Sequence, residues 1–120
     1  MVAPAIGSVV LVPFPFSDLS QAKLRPAAVL AEAGRGDWIL CQITSKPYGD
    51  VGAVKLADDG FATGSLRTTS YARPGKLFTA NRDLMKARVG VLKGDAFRQV
   101  LEAVIAVLRA SMTTWQPETI

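Results

Sequence analysis

The run Val9-Val10-Leu11-Val12, closed at once by Pro13 and Pro15, constrains this chain more than any other feature. Four consecutive apolar residues without polar alternation suit a strand buried on both faces, and the two prolines forbid its continuation inside a sheet. The backbone is therefore expected to leave the core there. The next residues are polar or charged (Ser17, Asp18, Ser20, Gln21, Lys23, Arg25) apart from Leu19, Ala22 and Leu24. Pro26 biases Arg25 towards extended backbone at the start of the next strand. Arg25 is thus expected to end a functional loop at a fixed place on a scaffold.

With 120 residues, 49% of them hydrophobic, the chain can build one core and is too short for two ordinary ones, so residues 1–120 are read as a single domain. No apolar run approaches the roughly 20 residues a bilayer requires, and no basic region precedes the first apolar stretch. A cytoplasmic protein without membrane contact is expected. The lone Cys41 excludes an intramolecular disulfide, and the absence of histidine excludes the usual zinc sets, so no metal or cofactor is expected. Cys41 reads as a small buried hydrophobe.

The net charge of +4 is unevenly spread. Seven basic residues lie between Arg67 and Lys93 against the single acid Asp83. Phosphate neutralisation needs such a cluster, although basic residues scattered over a solvated surface are the alternative.

Strand signals recur at 8–12, 27–33, 38–45, 53–56, 66–71, 76–79 and 88–92, and several short strands predict a small barrel. The glycines of Gly34-Arg35-Gly36-Asp37 make 27–33 and 38–45 an antiparallel hairpin. Arg25 precedes the first arm and Thr44 ends the second, so the pairing brings both to one end of the sheet. Residues 46–65, rich in turn formers, read as loops around one short strand. Asp95 is expected to cap a helix whose Phe97, Val100, Leu101, Val104, Ile105 and Leu108 recur at i, i+3, i+4. That helix packs on the barrel or on a partner.

The opening GSVVLVPFPFSDLSQAKLRPA, the Ile43-Thr44-Ser45 strand end, the Lys76-Leu77 segment and the apolar C-terminal helix together resemble the MazF/PemK (Kid) toxins of bacterial toxin–antitoxin systems. The resemblance spans nearly the whole chain. It implies a small, partly open, SH3-like β-barrel with a C-terminal helix, as in MazF- and CcdB-like proteins. It further implies a homodimer, a cognate acidic antitoxin and single-stranded RNA as substrate. The implied activity is a sequence-specific, metal-independent endoribonuclease, leaving 2′,3′-cyclic phosphate and 5′-hydroxyl ends.

Arg25 matches the catalytic arginine of the family's Arg-Pro pair. A guanidinium stays charged and offers a planar fork to phosphate oxygens, which suits a phosphorane-like transition state. Thr44 matches the active-site threonine of the TS pair, with Ser45 in support, although threonine is also an ordinary strand former. Kid-type toxins pair an arginine with an aspartate two residues on; Arg73 fits the first, but Gly75 stands in place of the second. Arg73 and Ser45 are therefore read as catalytic or RNA-binding. The general base is open: Asp18, water and a path through Thr44 all qualify, and Asp18 alternatively makes an Asx turn. Lys23, Arg67, Lys76 and Tyr48 are expected RNA-binding residues, with Tyr48 and Phe61 stacking on unpaired bases. Phe14 and Phe16 read as packing residues.

Without histidine, no imidazole acid–base pair and no Ser-His triad can form. Two other classes remain: a CcdB-like gyrase poison acting through the helix and Trp115, and a non-catalytic RNA-binding module.

Overall fold

The computed structural model describes residues 4–14, 23–46 and 49–117. Seven antiparallel strands form one sheet that curls into a nearly closed barrel: β1 (Ser8–Phe14), β2 (Lys23–Gly34), β3 (Asp37–Thr44), β4 (Val54–Leu56), β5 (Phe61–Gly64), β6 (Ser70–Asn81) and β7 (Ala87–Leu92). Their order is β4-β6-β3-β2-β1-β7-β5, followed in sequence by one helix, α1 (Gly94–Thr114). This is the small barrel with a C-terminal helix that the sequence predicts.

The apolar run of β1 is buried as expected, because successive side chains enter different cores. Val9 joins Ala28, Leu30, Cys41 and Ile43 beneath α1. Val10 and Val12 join Ala27, Val29 and Leu40 on the opposite face. The three central strands thus present apolar side chains on both sides.

Pro13 does not end β1, contrary to expectation. The strand runs on to Phe14, with Pro13 opposite Leu24 and Phe14 opposite Lys23. The ladder with β7 has already stopped at Leu11↔Ala87, so this stretch of β1 is a sheet edge, where proline is tolerated. Arg25 consequently lies inside β2, opposite Val12, rather than at a strand start.

The β2–β3 hairpin closes through Arg35 and Gly36, whose φ values of 57° and 82° are those of a two-residue I′ turn. The segments 66–71 and 76–79, expected as two strands, are replaced by the single strand β6 from Ser70 onwards. A bulge explains the apparent break: between the pairs Cys41↔Leu77 and Ile43↔Ala72, Gln42 alone faces residues 73–76. Pro74 and Gly75 fit there because a bulge frees them from the ladder. Sγ of the fully buried Cys41 donates to the Arg73 carbonyl at 3.1 Å, giving a bulge oxygen a partner.

The 46–65 region holds two strands, β4 and β5, where one was expected, separated by a 3-10 turn at Asp58–Gly60. Phe61 is no base-stacking residue: it is buried in the core, its ring over Gly90, where an added Cβ would come within 2.8 Å. Phe14 packs edge-to-face on Phe78 with ring centroids 4.6 Å apart, as its packing role requires.

Asp95 is not the helix cap. Lys93 occupies that position without a side-chain bond, and Asp95 Oδ1 accepts from the Ala96 amide at 2.9 Å inside the first turn. Val100 and Val104 of α1 are buried in the core, and the helix packs on β6 and β4. Its later turns lie on the surface. Among the described residues no helix is long and apolar enough to cross a membrane.

Candidate functional site

At one end of the barrel the end of β1, the start of β2, the end of β3 and the segment 65–73 enclose an open cleft of about 900 Å³. Arg25, Thr44, Ser45, Arg67 and Arg73 all line it, together with Thr68. Arg25 and Thr44 meet there because β2 and β3 pair antiparallel, with Ala27 opposite Gln42, so each strand reaches the cleft two residues further along. The juxtaposition expected from the hairpin is therefore present.

Thr44 is half-buried, and its hydroxyl is held in a local turn. Oγ1 accepts from the Lys46 amide at 3.1 Å and donates to the Lys46 carbonyl at 3.1 Å. That uses the hydroxyl's one proton and one of its two lone pairs, leaving one acceptor position. Ser45 beside it is exposed.

Arg73 is fixed from two directions. The bulge sets its backbone, and its guanidinium forks onto Asp50, with Nε on Oδ2 and Nη2 to Oδ1 at 3.2 Å. Hydrogen bonding from Arg73 holds the Asp50 carboxyl below its ordinary value, assisted by the charges of Arg73 and Lys76. Asp50 was missed by sequence reasoning, since 23 residues separate it from Arg73. A signal did exist: Asp50 is the only acid between Asp37 and Asp58, in the segment that follows the Thr-Ser pair.

Burial acts on Cys41 in the opposite sense, pushing its thiol up to about 11. At neutral pH it is a protonated hydrogen-bond donor, not a nucleophile.

Arg67 enters the cleft from the β5–β6 connection with a left-handed backbone, φ 68°. Its amide donates to Ser65 Oγ at 2.9 Å, and that hydroxyl donates to Asp58 Oδ1 at 2.8 Å.

Two other expected residues are not brought in. Lys23 and Lys76 are exposed, but neither lines the cleft. Asp18 and Tyr48 lie outside the described residues. The basic cluster of the sequence is divided in space: Arg67 and Arg73 face the cleft, whereas Arg82 sits at the opposite end of the sheet, its amide bonded to Gly36 O of the hairpin at 2.8 Å.

Residues 5–108 match the family model of the PemK-like, MazF-like toxin of type II toxin–antitoxin systems. Among solved structures the chain is similar to a MazE–MazF complex from Deinococcus radiodurans, with a TM-score of 0.72 and 18% identity, covering 90% of this chain and 98% of that one. It is also similar to an endoribonuclease in complex with its cognate antitoxin from a mycobacterial species, with a TM-score of 0.67 and 15% identity over 91% and 96% of the two chains. The Mycobacterium tuberculosis toxin MazF-mt6 matches with a TM-score of 0.62 and 15% identity, over 85% and 96%. No curated protein matches the sequence.

Proposed function

Because the chain belongs to the PemK-like, MazF-like toxins of type II toxin–antitoxin systems, we propose that it acts as a sequence-specific, metal-independent endoribonuclease on single-stranded RNA. The observation that carries this reading is the meeting of Arg25 and Thr44 in one cleft, with Arg73 held at its wall by Asp50.

In the reaction the ribose 2′-oxygen attacks the adjacent phosphorus in line. The O2′–P bond forms, the P–O5′ bond breaks, the 2′-hydroxyl gives up its proton and the departing 5′-oxygen gains one. The products are a 2′,3′-cyclic phosphate and a 5′-hydroxyl. Arg25 stabilises charge on the phosphoryl oxygens, and the remaining lone pair of Thr44 accepts from the 2′-hydroxyl and orients it.

A charged guanidinium cannot take the proton, so Arg25 and Arg73 are not the base. Asp50 is a poor base, since the fork from Arg73 stabilises its ionised form. Asp18 is retained as the proposed base, and full activity in Asp18→Asn would remove it. Ser45 supports Thr44, Lys23 and Lys76 extend the RNA path beyond the cleft, and Tyr48 is proposed as a further RNA-binding residue.

The relatives solved with MazE or a cognate antitoxin support an acidic antitoxin as the natural inhibitor, covering the Arg25 cleft. A cytoplasmic homodimer completes the reading. Its proposed contact is the stripe Ile105, Leu108, Met112 and Trp115, between 41% and 77% exposed and spaced like the seam of a helix pair.

Long mixed-sequence RNA incubated with the protein in excess EDTA tests the activity. Discrete fragments with 5′-hydroxyl ends are expected, with a loss of roughly 100-fold or more in rate for Arg25→Ala. Intact RNA with folded, antitoxin-free wild type would favour the RNA-binding or protein-directed alternative.

A further inference from the structure

We infer that Arg67 reads a base flanking the scissile phosphate, and that this base is guanine, an inference that rests on the ribonuclease reading. Three observations converge on it.

Arg67 has a left-handed backbone, φ 68°, a conformation that glycine adopts freely and arginine does not. The other described non-glycine residue at positive φ, Arg35, sits in a hairpin turn that demands this conformation. No such two-residue hairpin encloses Arg67. Strain of this kind is held in place where the side chain has a task.

The loop around it is built stiff. Gly64 lies so close to β7 that an added Cβ would come within 2.1 Å of the Val89 carbonyl, to which the Ser65 amide also donates at 3.3 Å. Ser65 then links Asp58 to the Arg67 amide, and Ser70 Oγ bonds the Thr68 carbonyl at 2.9 Å.

The side chain is exposed on the cleft, with no hydrogen-bond or ionic partner among the described residues, whereas Arg73 is engaged by Asp50. Phosphate attraction tolerates a cation on a mobile stem. The held backbone of Arg67 instead fixes where the stem leaves the loop, and the planar fork at its end, unengaged by any described carboxylate, offers the paired donors that reading a base edge requires. Guanine presents O6 and N7 as paired acceptors to such a fork, and an unpaired strand exposes that edge.

The test compares cleavage maps of wild type, Arg67→Gly and Arg67→Lys on mixed-sequence RNA in EDTA, with melting temperatures alongside. The wild type is expected to require guanine at one position near its cuts. Both variants should lose that requirement and fall roughly 10- to 100-fold in kcat/KM at the preferred sites. Arg67→Gly should melt no lower than wild type, separating the lost contact from lost folding. An unchanged map, or a uniform loss at every site that Arg67→Lys restores, would overturn base reading, the second result marking a phosphate contact. If wild type leaves RNA intact, the ribonuclease reading fails by itself. Titrations with guanine-rich and guanine-free single-stranded oligonucleotides then still decide: a guanine preference abolished in Arg67→Gly supports the assignment, and equal affinities refute it.

Discussion

Arg73 and Asp50 show how one carboxylate can settle what an arginine does. The fork leaves Arg73 less able to swing towards solvent and keeps Asp50 ionised to a lower pH than an unpaired carboxylate. Because the folded state lowers the Asp50 pKa from 3.8, the pair's contribution is present above the ordinary carboxylate range and is lost as pH falls below it. Both partners are only partly buried, so screening keeps the stability effect small. The clearer observable is the titration itself. An NMR titration of the Asp50 side-chain carboxyl should give a midpoint below 3.8 in the wild type and one near that value in Arg73→Gln. Equal midpoints in the two proteins would show that the fork does not persist in solution.

At the level of elements, the bulge in β6 places Arg73 on the cleft, and Cys41 bonds a carbonyl of that bulge. The thiol fills a fully buried site and bonds the Arg73 carbonyl, so Cys41→Ala removes both packing and a partner. A loss of about 1–3 kcal/mol is expected from chemical denaturation. The pH dependence has a definite sign. The folded thiol stays protonated to about 11, above its ordinary value of 9.0. Stability is therefore whole below pH 9.0 and declines as pH rises towards 11, where the unfolded chain ionises first. Cys41→Ala should lack that component of the alkaline slope. Identical slopes in the two proteins would mean that Cys41 is not shielded.

For the whole molecule, the tension lies in α1. Its first turns bury Val100 and Val104, while Leu108, Met112 and Trp115 further along are between 61% and 77% exposed. Leaving a row of large apolar side chains in water forfeits hydrophobic stabilisation that a second copy can recover. On the homodimer proposed above, wild type is expected to run at dimer mass in sedimentation and a Leu108→Glu, Met112→Glu double variant at monomer mass, with its circular dichroism spectrum retained. A dimer that survives both charges would place the interface elsewhere on the barrel.

The sequence by itself determined the class of fold, because local patterns suffice for it. Unbroken apolar runs, a Gly-Arg-Gly turn and a helical repeat are read within a few residues of one another, and each found its element. It also brought Arg25 and Thr44 to one end of the sheet, since a hairpin's register is a local property. Tertiary structure alone decided the rest. Whether Pro13 may remain in β1 depends on where β7 stops pairing, and whether 70–81 is one strand depends on a bulge opposite Gln42. Whether Phe61 meets solvent depends on the bare backbone of Gly90. Asp50 meets Arg73, and Arg67 shares a cleft with Arg25, only because the barrel closes segments far apart in the chain onto one another. Contacts of that range leave no periodicity for a sequence to display, because what fixes them is packing against partners that the local chain does not contain.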